Sequence, residues 1–146
     1  GPMCMQGYCN DPEATAQTIK DGWLHTGDLV RYDDEGYFYV VGRKKEMYIS
    51  GGENVYPVEV EQILRQHPLV KEAAVIGTPD TKWGEVGHAF LAVEEQLDTQ
   101  IFAEYCRQHL AKFKIPKYFT LLGELPKGDS GKILKKKLAE LPVPRI

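Results

Sequence analysis

The chain has 146 residues, of which 42% are hydrophobic and 27% charged, and a formal net charge of −3. That apolar fraction supports a packed core and excludes a disordered chain, while the small negative charge removes any general electrostatic case for nucleic acid or an anionic membrane as partner. The length suits one full domain, or a small domain joined to part of another.

No apolar run approaches the roughly 20 residues of a spanning helix, and no secretory signal is visible. Gly1-Pro2 is either a cleavage scar or the start of a piece of a longer protein. The second is expected, because the opening segment reads like the end of a larger unit.

Asp11-Pro12-Glu13 is a helix start: a capping aspartate, a proline at the first helical position and an acid in the first turn. The helix is expected to run to about Lys20. Residues 26–32 and 37–42 read as the strands of a hairpin around Asp33-Asp34-Glu35-Gly36. Tyr37, Tyr39 and Val41 alternate with Phe38 and Val40, so both faces are expected to be partly covered.

Gly42-Arg43-Lys44-Lys45-Glu46 is a charged stretch where composition and periodicity change, and it is read as a domain boundary. Residues 47–50 form a short strand, and 51–54 a tight turn. Pro57 opens a helix to about His67 with Val60, Ile63 and Leu64 on one face, and Pro68 ends it. Residues 70–77 and 87–94 are strands. A helix capped by Asp98 or Thr99 runs to about Ala111 with Phe102, Tyr105, Cys106 and Leu110 inward. Residues 118–122 form a strand, and 132–140 a last helix. Residues 43–146 therefore read as β-α-β-β-α-β-α, an α+β domain, and 1–42 as a helix and hairpin too small to bury a core of their own.

Cys4, Cys9 and Cys106 are odd in number and lack Cys-x-x-Cys spacing, which argues against a disulfide framework or zinc site and for a reducing, cytoplasmic setting. The four histidines have no metal-ligand spacing, and His25 is read as an orienting or merely exposed residue.

Four features carry candidate chemistry. The carboxylate of Asp28, after Thr26-Gly27, either accepts hydrogen bonds from a vicinal diol such as ribose or caps the hairpin. Arg43 offers a fork of donors to a ribose or phosphate oxygen, or pairs with one of Asp33, Asp34 or Glu35. Ser50-Gly51-Gly52 either lets a ligand approach the backbone or is a plain turn. Lys132, in Leu125-Pro126-Lys127-Gly128-Asp129-Ser130-Gly131-Lys132, is placed to bring one positive charge to a phosphate. The Gly-x-x-x-x-Gly spacing of a P-loop is missing there, which rejects a P-loop nucleotidase. The run Lys135-Lys136-Lys137 reads as a solvated helix face.

Taken in order, Asp11-Pro12-Glu13-Ala14-Thr15, Asp21-Gly22-Trp23-Leu24-His25-Thr26-Gly27-Asp28, Gly42-Arg43-Lys44-Lys45-Glu46, Gly51-Gly52-Glu53-Asn54-Val55-Tyr56-Pro57-Val58-Glu59 and Leu125-Pro126-Lys127 with Ser130-Gly131-Lys132-Ile133 resemble the C-terminal part of the AMP-forming acyl-CoA synthetases, members of the adenylate-forming superfamily. The resemblance covers essentially the whole chain. It implies an enzyme that activates a fatty or aryl acid as acyl-AMP and passes it to CoA, with ATP and magnesium held mainly by an N-terminal domain. It further implies that residues 1–42 close that large domain and that 43–146 form a mobile lid. On this view Asp28 and Arg43 bind nucleotide, Lys45 is the hinge, Gly51 and Gly52 line the pantetheine tunnel, and Lys132 is catalytic. No metal ligand is expected in this segment, which should be inactive alone.

The chain departs from the family pattern at three places. Lys45 stands where many relatives have aspartate, Asn54 where many have arginine, and Gly128-Asp129 replaces the commoner Thr/Ser-Pro. A loader of an acyl-carrier protein, and a non-catalytic interaction module descended from the lid, are the alternatives.

Overall fold

Asp11 opens the fold. In the computed structural model, which describes residues 1–95 and 97–144, its Oδ1 accepts from the Ala14 N–H at 2.8 Å and caps α1 (Pro12–Thr18). The helix ends two residues before the expected Lys20. Ile19 is extended, and β1 (Ile19–Lys20) pairs with β2 (Trp23–Leu24) across Asp21-Gly22. Both turn residues have positive φ, 51° and 78°, which is the two-residue hairpin turn that an Asp-Gly pair favours.

The antiparallel hairpin of β3 (Asp28–Tyr32) and β4 (Phe38–Arg43) forms at the expected place, with a bulge between Leu29 and Val30. Asp33 builds its turn: Oδ1 accepts from the Glu35 and Tyr37 amides, each at 3.0 Å, and Oδ2 accepts from the Tyr39 hydroxyl at 2.7 Å. These bonds hold the Asp33 carboxyl below its usual range, the Tyr39 hydroxyl contributing most. The expected cover over both faces is corrected. Val30, Tyr32, Tyr37, Phe38, Tyr39 and Val40 are all exposed, and the hairpin's packing on α2 (Pro57–Arg65) is made by β4, which is buried at its base at Gly42.

The remainder is a five-stranded sheet with helices on both faces. Its strands are β5 (Tyr48–Ser50), β6 (Glu53–Val55), β7 (Glu72–Asp80), β8 (Gly84–Ala92) and β9 (Tyr118–Leu122). The long β8 is central. It pairs with β7 along one edge and, along the other, with β5 at Gly84 and with β9 from His88 to Ala92. The β8–β9 pair is parallel, so the chain needs a crossover. It is supplied by α3 (Gln100–His109) and a 3-10 turn (Lys112–Lys114).

Side chains alternate across this sheet. Ala73, Val75, Ala89 and Leu91 face α2 and α3 in a core with Val60, Leu64, Phe102 and Cys106. Ala74, Phe90 and Ala92 face the opposite way, onto Leu125 and Leu138 of the last helix, α4 (Lys135–Ala139). In α2 the buried positions are Pro57, Val60, Glu61 and Leu64, a helical stripe that includes a carboxylate.

The α+β class is as expected, with local differences. The turn placed at 51–54 uses only Gly51 and Gly52, at φ 60° and 89°, so Glu53 starts an additional strand, β6. Asp80 Oδ1 accepts from the Lys82 and Trp83 amides at 2.9 Å each and tightens the β7–β8 turn, so that β7 ends three residues later and β8 begins three residues earlier than expected. The last helix starts at Lys135, not Lys132. Residues 127–134 instead close a loop, with a Lys127–Ile133 bridge and the Leu134 amide donating to the Pro126 carbonyl at 2.8 Å. Leu110 is extended, which ends α3 before the expected Ala111.

Candidate functional site

Asp28 and Arg43 are register partners on β3 and β4. The Arg43 Nε lies 2.7 Å from Asp28 Oδ1, and its Nη1 donates to the Thr26 carbonyl at 3.1 Å. The Asp28 amide donates to Thr26 Oγ1 at 3.2 Å, and the Lys44 amide to the Gly27 carbonyl at 2.9 Å. Thr26-Gly27-Asp28 is thus folded onto Arg43-Lys44 by three contacts and braced by the fourth within itself. Arg43 pairs with Asp28 and not with the acids of the hairpin turn. The pair stands in a cleft of about 840 Å³ whose lining includes Thr18, His25, Thr26, Gly27 and Lys45. The lining carries the carboxylates of Asp28 and Glu46 and the cations of Lys20, Arg43, Lys44 and Lys45, an arrangement able to accept from hydroxyls and donate to oxyanions within one space. His25, expected to be exposed or orienting, lines this cleft and is exposed.

Residues 43–47 form a single turn, in which the Glu46 and Met47 amides both donate to the Arg43 carbonyl, at 3.0 and 3.3 Å. Lys44 and Lys45 are exposed on it.

The other two candidate groups lie apart from the cleft lining. Gly51 and Gly52 form the β5–β6 turn. The Gly51 amide donates to the Trp83 carbonyl at 2.9 Å, and a Cβ on Gly51 would meet the Trp83 ring at 2.9 Å. Nothing lies within 4 Å of a Cβ built on Gly52. Lys132 is exposed on the loop ahead of α4, next to Gly131 at φ 76°. Its carbonyl accepts from the Gly128 amide at 2.9 Å. The structure therefore brings Asp28, Arg43 and Lys45 together and leaves Gly51, Gly52 and Lys132 at separate places. Among the described residues, no group of three or more histidine, cysteine, aspartate or glutamate side chains is gathered as a metal site.

Sequence reasoning missed one cluster. Lys135, read as part of a solvated face, pairs with Glu61 at 2.8 Å and with Glu46, and its side chain is only 23% exposed. The available signal was spacing: Lys135 precedes the buried Leu138 by three residues and so shares its face. Buried titratable groups elsewhere include Tyr48, whose hydroxyl pKa is pushed up by burial, as well as His88 and Cys106. His88 bonds Thr120 Oγ1 through Nε2 at 2.8 Å, and burial lowers its pKa to about 4. Cys106 is buried as expected, and burial raises its thiol to about 11.

Residues 59–132 match the family described as the AMP-binding enzyme C-terminal domain. The 2-succinylbenzoate–CoA ligase of Bacillus cereus (strain AH820) is 45% identical over 141 residues, an alignment that covers 97% of this chain and 29% of that protein. Among solved structures, the o-succinylbenzoate CoA synthetase of Bacillus subtilis, in complex with its acyl-adenylate intermediate OSB-AMP, superimposes with a TM-score of 0.91 at 42% identity, over 100% of this chain and 30% of that one. A fatty acyl CoA synthetase of Mycobacterium tuberculosis gives a TM-score of 0.70 at 46% identity, over 92% of this chain and 27% of that one. The chain spans less than a third of the length of these relatives. The resemblance read from its motifs holds, and the chain belongs to the family of AMP-binding enzyme C-terminal domains.

Proposed function

We propose that this chain is the C-terminal part of an AMP-forming acid–thiol ligase that joins a fatty or aryl acid to CoA. The observation that carries this reading is the Asp28–Arg43 pair in a cleft, with a lysine-bearing loop on the separately packed sheet. The names of the relatives favour CoA over a carrier protein as acceptor.

The reaction has two displacements. A carboxylate oxygen attacks the α-phosphorus of ATP, and pyrophosphate leaves. The CoA sulfur then attacks the acyl carbon of the mixed anhydride, its proton is lost to solvent, and AMP leaves. Asp28 accepts from the ribose hydroxyls, and Arg43 holds the carboxylate in place while donating to the ribose and phosphate end. Lys132 neutralises charge on the carboxylate and α-phosphate in the first step. Catalysis of this kind rests on positioning and charge stabilisation, which one mobile lysine can supply. Residues 1–42 close the large domain, 43–146 form the lid, and the two reorient about Lys45. In the second arrangement the Gly51-Gly52 turn lies along the pantetheine arm. A site that excludes water and then admits a thiol needs such a moving part. The exposed apolar side chains of the β3–β4 hairpin fit burial against the rest of a large domain. Magnesium and most of the ATP contacts belong to that domain. The free cysteines fit a reducing cytoplasm.

The test is ATP–pyrophosphate exchange with a panel of aryl and fatty acids. The full-length protein exchanges with at least one acid and then releases its CoA thioester. The 146-residue chain alone shows no exchange, and exchange by it would sink the division of labour described above.

A further inference from the structure

Lys135 occupies the first position of α4, three residues beyond Lys132. Its ammonium reaches Glu61 on α2 at 2.8 Å and Glu46 in the turn between β4 and β5. Glu61 is buried, and its Oε1 also accepts from the Val75 amide on β7 at 2.9 Å. One side chain thus joins the start of α4 to a helix, to the sheet and to the residue that directly follows Lys45.

Ile133, next to Lys132, packs against the cluster of Ala74, Phe90 and Leu138, while the other polar links to the loop are weaker or local. The Gly128 and Leu134 amides bond within the loop itself. The Lys127–Glu72 pair, at 2.7 Å, has both side chains at least a third exposed, and such pairs contribute little. Lys135 and Glu61, with side chains 23% and 8% exposed, are less screened by solvent and salt. Two carboxylates from distant segments converge on this ammonium, so its removal uncouples the turn from the start of α4, while Leu138 stays anchored in the core.

We propose that Lys135 is a positioning residue. It holds the Lys132 loop and the turn behind Lys45 as one rigid piece, so that rotation at Lys45 sets where the Lys132 ammonium arrives. This rests on the functional reading above for Lys45 and Lys132, while the rigidity itself belongs to the chain as it stands.

The test uses Lys135→Met, with Lys135→Arg as the rescue and Glu46→Gln as a milder variant that leaves the Glu61 contact intact. In the 146-residue chain, hydrogen exchange at the Gly128, Gly131 and Leu134 amides accelerates about tenfold in Lys135→Met relative to the β7 and β8 amides, a local opening. In the full-length protein, Lys135→Met lowers the adenylation kcat by on the order of 10², the scale of a small misplacement. The ATP KM stays within about twofold, since binding is not the affected term. Thioester formation from supplied acyl-AMP is spared, Lys135→Arg restores adenylation, and Glu46→Gln falls between. Acceleration spread evenly over all amides, equal loss in both half-reactions, or unchanged adenylation in an active protein would each overturn the proposal. Absence of adenylation by wild-type full-length protein would overturn the functional reading instead. That result is distinguishable, because the loop amides would still respond to Lys135→Met.

Discussion

Arg43 holds Asp28 from across the β3–β4 hairpin, with its Nε 2.7 Å from Asp28 Oδ1 and its Nη1 turned to the Thr26 carbonyl at 3.1 Å. The aspartate is the more enclosed of the two, its side chain 26% exposed against 55% for the arginine. A carboxylate held this way loses little side-chain entropy when it accepts from a ligand, because its rotamer is already restricted.

Asp28→Asn should therefore weaken AMP binding by the full-length protein. A hydrogen bond to a charged group contributes about 1.5–3 kcal/mol, which corresponds to roughly 10- to 150-fold in affinity. The asparagine keeps one carbonyl acceptor and replaces the other with a donor. Calorimetric titration with AMP and with 2′,3′-dideoxy-AMP checks the assignment. Wild type and variant should bind the dideoxy nucleotide alike, and an equal loss for both nucleotides would show that Asp28 does not read the ribose.

Lys132→Ala should cripple adenylation and spare thioester formation from supplied acyl-AMP. The lysine sits on an exposed loop outside the cleft lining, so its charge counts only in the arrangement that brings it to the α-phosphate. Loss of one preorganised donor costs on the order of 10²–10³ in rate. Single-turnover measurement of each half-reaction decides the matter, and parallel loss in both would argue against two separate arrangements.

His88 makes stability depend on pH. It is buried at the centre of β8, stacks on Phe90 with ring centroids 4.0 Å apart and bonds Thr120, and burial lowers its pKa to about 4. In the unfolded chain it titrates near 6.5. Between these values the unfolded state binds more protons, so stability is fully present above about pH 6.5 and declines as pH falls toward about 4, by on the order of 3 kcal/mol. The carboxyl of Asp80 is lowered to about 2, chiefly by Lys117, so its contribution is lost in a more acidic window. Urea unfolding of wild type and His88→Phe at pH 7 and pH 5 tests the histidine. The variant should show a clearly flatter dependence, and identical slopes would remove His88 as the cause.

The legible parts of this fold were those set by local pattern. β9 occupies residues 118–122 as expected, and the inward Phe102 and Cys106 of α3 follow from helical spacing. The adjacency of Asp28 and Arg43 was not legible, because it depends on hairpin register and a bulge. β6 is not legible in the sequence, because two glycines at positive φ suffice for a turn that composition extends over four residues. The environment of Lys135 was missed for another reason. In a run of three lysines, only the Leu138 face distinguishes the one that packs inward, and its partners, Glu46 and Glu61, lie 89 and 74 positions away. Composition also misjudged the β3–β4 hairpin, since alternating aromatic residues show that two faces are apolar but not what covers them.

Lys45→Pro should reverse the pattern expected for Lys132→Ala. The turn at residues 43–47 closes through two amides, those of Glu46 and Met47, on the Arg43 carbonyl, and Lys45 is exposed within it. Proline at position 45 fixes φ near −65° and biases Lys44 toward extended conformations. The Lys44 amide bond to Gly27 survives, because the substitution leaves that donor in place. The two sides of the turn then lose the freedom to reorient, and a few such residues are what absorb a hinge motion. Adenylation persists in protein whose turn the proline holds in the arrangement that presents Lys132 to the α-phosphate. Thioester formation falls steeply, because the Gly51-Gly52 turn no longer reaches the site. Rapid-quench assays of both half-reactions in the full-length protein separate this from a solvated linker whose replacement changes little. If acyl-CoA forms from supplied acyl-AMP at the wild-type rate, Lys45 is not the hinge.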